Sequence, residues 1–63
     1  MTRIVVDLPR SEAAALAQFV KRTGYDDCER LGNRYDGGEE RDAMWQAVLK
    51  LQRALREAGF APR

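Results

Sequence analysis

Apolar residues alternate at the start of this chain and then recur every three or four positions. In Thr2–Leu8, Ile4, Val6 and Leu8 fall on one side and Arg3, Val5 and Asp7 on the other, a period of two that predicts a short β-strand. Pro9 has no amide hydrogen and holds Leu8 extended, so the strand should stop there. Ala13, Leu16, Ala17, Phe19 and Val20 then follow at helical spacing, opposite Glu12, Gln18, Lys21 and Arg22. This predicts a helix over 11–23, capped by Ser11, with Lys21 and Arg22 at its negative end and Gly24 as a left-handed stop. Tyr25, Cys28 and Leu31 fall at i, i+3 and i+6, the mark of a short second helix with Asp26 or Asp27 in its first turn. Gly32-Asn33 would end it. Arg34-Tyr35-Asp36 reads as loop or as a minimal strand before a turn at Gly37-Gly38.

The last pattern is the clearest. Met44, Ala47, Val48, Leu51, Leu55 and Ala58 form a stripe that Trp45 and Leu49 widen. Glu39, Glu40 and Asp42 crowd its start, and Arg53 and Arg56 lie toward its end, as the helix dipole favours. Gly59 supplies a left-handed cap, Phe60 can fold back on Leu55, and Pro62 forbids continuation. A helix of about 20 residues is about 30 Å long, so it should be the spine on which the rest packs, with Leu51→Asp expected to unfold the protein. The expected fold is mainly α with a short N-terminal β-strand, a compact three-helix β-α-α-α arrangement in a single domain over 1–63.

Composition narrows the chemistry. With 63 residues the chain can build one small core, whose net contribution rarely exceeds ~3 to 5 kcal/mol. Cys28 has no partner for a disulfide, and zinc sites of Cys/His type have no ligand set. The absence of histidine excludes histidine-based acid–base catalysis. The longest apolar run, 13–17, is too short for a membrane span, and the three apolar residues between Arg3 and Asp7 do not read as a signal peptide. The expectation is a soluble cytoplasmic protein, with no cofactor, no metal and no membrane partner. Calcium binding between Asp26 and Asp42 fails the EF-hand spacing, and Gly37-Gly38 lacks the Lys-Ser/Thr of a phosphate loop. The acidic neighbours Asp26, Asp27 and Glu29 would raise the pKa of Cys28 and work against a nucleophilic role.

The overall charge of +1 hides a division along the chain: residues 26–42 carry seven acids against three arginines, a net of −4, between basic flanks. Compensation of a helix dipole accounts for Glu39, Glu40 and Asp42 and leaves Asp26, Asp27, Glu29 and Asp36 over. Carboxylates fixed on a compact scaffold can imitate a line of phosphates and occupy a Lys/Arg groove meant for nucleic acid. Asp26, Asp27, Glu29, Asp36, Glu39, Glu40 and Asp42 are therefore the candidate partner-binding residues, together with Tyr35 if it is exposed beside them.

Two resemblances bear on function. Thr2–Pro9 followed by an amphipathic helix resembles the opening of ribbon–helix–helix repressors, whose strands pair across a dimer and enter the major groove. That likeness implies a dimeric transcriptional regulator joined through the N-terminal strand. It ends near residue 23, where 24–38 intervene and add carboxylates that repel phosphates. The run Leu8–Arg22, then Gly24-Tyr25, and the ending Arg56–Arg63 resemble a group of very short proteins of proteobacterial chromosomes and mobile elements, which includes anti-CRISPR inhibitors of type I surveillance complexes. This second resemblance implies a non-enzymatic inhibitor acting on a basic nucleic-acid-binding subunit of a CRISPR effector complex, without direct contact to nucleic acid. A self-associating scaffold is a third possibility.

Overall fold

The computed structural model describes residues 1–60 and contains three helices in the order α1 (Arg10–Arg22), α2 (Tyr25–Leu31) and α3 (Glu39–Glu57). Among those residues there is no β-strand, which corrects the β-α-α-α expectation to α-α-α. Residues 1–9 form an arm without regular secondary structure and without a ladder partner, in which Ile4, Val5 and Val6 are 80%, 73% and 65% exposed. Alternation fixes which side chains share a side but supplies no hydrogen-bonding neighbour, and a single strand leaves its backbone groups unpaired. The strand-paired homodimer and the repressor-like ribbon both depend on a ladder that this chain does not form by itself.

The helices begin and end for local reasons. α1 starts one residue earlier than expected: Pro9, not Ser11, precedes it, and the Pro9 carbonyl accepts hydrogen bonds from the amides of Glu12 and Ala13, both at 3.0 Å. It closes at Thr23 in extended geometry, with the Thr23 amide and hydroxyl both donating to the Phe19 carbonyl. Gly24 is thus not a left-handed stop, and instead becomes the residue preceding α2 at φ −106°. The end of α3 follows the expectation. Gly59 sits at φ 94°, its amide reaches the Arg56 carbonyl, and the Phe60 amide reaches that of Leu55 at 2.8 Å, the paired bonds of a Schellman ending. The role expected of Pro62 lies outside the described residues.

α3 is the spine: α1 and α2 each pack against it and not against one another. Against α1 the core is Ala17, Val20 and Leu55, with Leu16, Val48 and Phe60 half-buried around it. The Gln52 side-chain amide donates to the Val20 carbonyl at 2.7 Å, satisfying one of the acceptors left over at the end of α1. On the α2 side Cys28 is buried, Trp45 half-buried, and the Tyr25 and Trp45 rings meet edge to face at 6.0 Å. Four expected core positions are corrected. Phe19 is 67% exposed, Leu51 is 38% exposed, and Ala47 and Ala58 face outward. With only two small partners on α3, a stripe of this width is not covered along its whole breadth.

Candidate functional site

The acidic stretch folds into the junction between α2 and α3, and its carboxylates divide by what holds them. Asp27 accepts the Gly24 amide at 2.8 Å, which ties the start of α2 to its third residue, and pairs with Arg30 at 3.2 Å. Asp36 accepts the amides of Gly38 and Glu40, both at 2.9 Å, and so caps the start of α3 from outside the helix. Glu40 accepts the Asn33 amide at 3.1 Å, and the Asn33 side chain accepts that of Tyr35. Asp42 takes the Arg41 guanidinium at 3.0 Å and the Tyr25 hydroxyl at 3.1 Å, linking α2 to α3. Asp26, Glu29 and Glu39 are exposed, and among the described residues their carboxylates accept no hydrogen bond.

Sequence dictates this geometry locally. Asn33 and Asp36 each bond the amide two residues on, the turn chemistry that these side chains favour. Gly37 and Gly38 take φ of 75° and 91°, the left-handed region that a side chain resists, and this reversal brings Asp36 back over the first turn of α3. The segment 34–36 is therefore loop rather than a minimal strand. The Arg41 guanidinium lies 5.2 Å from the centre of the Tyr25 ring, so the aromatic, the cation and Asp42 form one cluster.

Hydrogen bonding pins these carboxylates without discharging them. Asp27 is held below the ordinary value of 3.8, mostly by the Gly24 amide and then by Arg30. Asp42 is also held below 3.8, first by the Arg41 donor and then by the Tyr25 hydroxyl. Tyr25 is pushed above 10.0, by burial first and by its bond to Asp42 second. At neutral pH both acids are ionised, and as fixed charges they are suited to attract a cation more than to accept a proton.

A shallow cavity of about 590 Å³ opens at this junction, lined by Asp26, Glu29, Arg30, Asn33, Arg34 and Arg41 among others. Its walls are mixed in sign, three arginines beside two acids, so the negative surplus lies around the cavity and not inside it. Tyr35 stands on the loop at 96% exposed. The eight candidate residues thus lie on α2, on the loop after it and at the start of α3, with Tyr35, Asp26, Glu29 and Glu39 exposed. Sequence reasoning missed Arg30, Asn33 and Arg41, which organise that end. The Asn and Asp spacing in a glycine-rich segment was the available signal for Asn33, whereas the two arginines had none.

Among the described residues no group of three or more His, Cys, Asp or Glu side chains is placed to hold a metal ion, and no helix is long and apolar enough to cross a membrane. The fold and this junction define a small three-helix protein with an acidic, hydrogen-bonded end. The chain belongs to DUF7706, a family of unknown function, whose model matches residues 1–63. Comparison with curated proteins and with solved structures gives no match. The family match includes the residues that carry the second resemblance and shows no link to anti-CRISPR inhibitors.

Proposed function

We propose that this protein acts by stoichiometric binding, presenting the α2–α3 junction to a positively charged site on a nucleic-acid-handling protein complex of the bacterial cell. One observation carries the reading: Asp27, Asp36, Glu40 and Asp42 are each fixed by hydrogen bonds, so the net −4 of residues 26–42 is displayed in a defined shape rather than on a mobile loop. Pre-ordered charge binds with less loss of conformational freedom than charge on a flexible chain. Asp26, Glu29 and Glu39 have no partner among the described residues and are the side chains placed to meet lysine or arginine, with Tyr35 as the exposed aromatic of the same segment. A type I CRISPR surveillance complex, with its basic channel for nucleic acid, is the target that the proteobacterial resemblance implies.

Phage plaquing on a host with active type I interference tests the reading. Expression of the chain should restore plaquing, and Asp26→Asn, Glu29→Gln and Glu39→Gln together should abolish that effect while helix content and thermal midpoint stay unchanged. Failure of the parent chain to restore plaquing counts against the target. Full protection retained by the folded triple variant counts against the acidic surface. Because association is steered by charge, the on-rate for the purified target should also fall steeply with salt.

A further inference from the structure

The molecule is thinner and more exposed than its size predicts. Its principal extents are 38 × 27 × 15 Å, the radius of gyration of 12.8 Å exceeds the about 11 Å expected for a compact chain of 63 residues, and five residues make up the buried core. A compact monomer of 7.2 kDa exposes about 4,100 Å², whereas this chain exposes 5418 Å², an excess of about 1,300 Å². Domains are ordinarily built from two packed layers, and three helices side by side make one. Two apolar features lie open as a result. One is a groove of about 1010 Å³ left where α1 and α2 fail to meet, floored by Met44 and Val48 and walled by Phe19 and Leu31, the latter two 67% and 64% exposed. The other is the arm, with Ile4 and Val6 exposed.

We propose that the groove receives the N-terminal arm of a second copy of this chain, exchanged reciprocally to give a two-fold homodimer. An arm drawn out in extended geometry carries Ile4, Val6 and Leu8 on one side, where they can enter an apolar cleft together. The excess exposed area exceeds the about 800 Å² that each partner buries in a standard interface. Charges match as well: among the described residues Asp7 of the arm and Arg22 on the groove rim have no ion-pair partner. The chain's own arm is badly placed for this role. Pro9 fixes its exit, with ψ of 153° and a carbonyl engaged by the Glu12 and Ala13 amides, at the far end of α1 from Phe19 and Arg22. The exchange leaves Tyr35, Asp26, Glu29 and Glu39 outside the groove, so a dimer would carry two acidic ends and engage a repetitive target bivalently.

Sedimentation equilibrium of the full chain tests the dimer. The parent should sediment at twice the 7.2 kDa chain mass. Phe19→Glu with Leu31→Glu should halve the apparent mass, and so should removal of residues 1–7, each with the helical circular dichroism of the parent. The second change touches no helix, which separates loss of the interface from loss of the fold. A parent that stays monomeric up to millimolar concentration overturns the proposal, and so does a dimer that survives either change.

Discussion

Gly32, the residue just past α2, lies against the backbone of Arg41 in α3. A Cβ built there would stand 2.9 Å from the Cys28 carbonyl oxygen and 3.1 and 3.2 Å from the amide nitrogen and Cα of Arg41, all backbone atoms that cannot swing aside. Its φ of −80° is open to any residue, so the requirement is one of space, not of backbone freedom. Gly32→Ala should therefore cost about 1–3 kcal/mol, measured as a lower midpoint in urea unfolding, and an unchanged midpoint would show that the junction is looser than this spacing implies. Titration supplies a second expectation at the same junction. Asp27 and Asp42 have folded pKa values below the ordinary 3.8, so the stability they contribute is complete above that value and is lost as pH falls through the lowered ones. The thermal midpoint should hold down to about pH 5 and then drop, and the double variant Asp27→Asn, Asp42→Asn should drop less. Equal acid sensitivity of the variant would place the effect on other carboxylates.

Each helix shows what periodicity can and cannot specify. The three- and four-residue spacing located all three helices to within about a residue at most ends, because amphipathicity and end chemistry act within a few residues of one another. The Schellman ending at Gly59 and Phe60 was legible for the same reason. The arm is not legible from its pattern, because a strand is a relation between two segments and alternation describes only one of them. Leu51 and Phe19 depart from their pattern for a related reason: a stripe marks the face that is able to bury, while the number of partners decides how much of it does. At the junction the seven acids were legible as a cluster, but not the division between those pinned by amides and those left free, which follows from the reversal at Gly37 and Gly38. Two positions on α3 measure the difference between face and core. Leu55 is 8% exposed and Leu51 is 38% exposed, so an Asp at 55 would be buried without a partner and an Asp at 51 would remain hydrated. Leu55→Asp should abolish the cooperative thermal transition, whereas Leu51→Asp, against the expectation from pattern alone, should retain it at a lower midpoint. Loss of the transition in both would mean that the face around Leu51 closes more fully in solution.

In the whole molecule the two lesser helices depend on α3 and not on each other, which gives stability an uneven distribution. α1 is held by Ala17, Val20 and Leu55 and by the Gln52 bond to the Val20 carbonyl, while α2 is held by Cys28, the Tyr25–Trp45 ring pair and the Tyr25–Asp42 hydrogen bond. Neither set includes a residue of the other helix, so loosening one should leave the other's contacts in place. Amide exchange under native conditions reads this directly, since protection reports the free energy of local opening. Gln52→Ala removes one part-buried hydrogen bond, a loss of about 1 kcal/mol, and should speed exchange across the second half of α1 about fivefold. Amides of α2 should keep the parent rates. Tyr25→Phe should give the converse, faster exchange in α2 with α1 unaffected, because the hydroxyl serves only the Asp42 link. If either substitution accelerates both helices equally, the chain opens as one unit and the separation through α3 is wrong. The outcome also bears on the acidic end, because a junction that opens without α1 can lose its ordered charge while the rest of the protein stays folded.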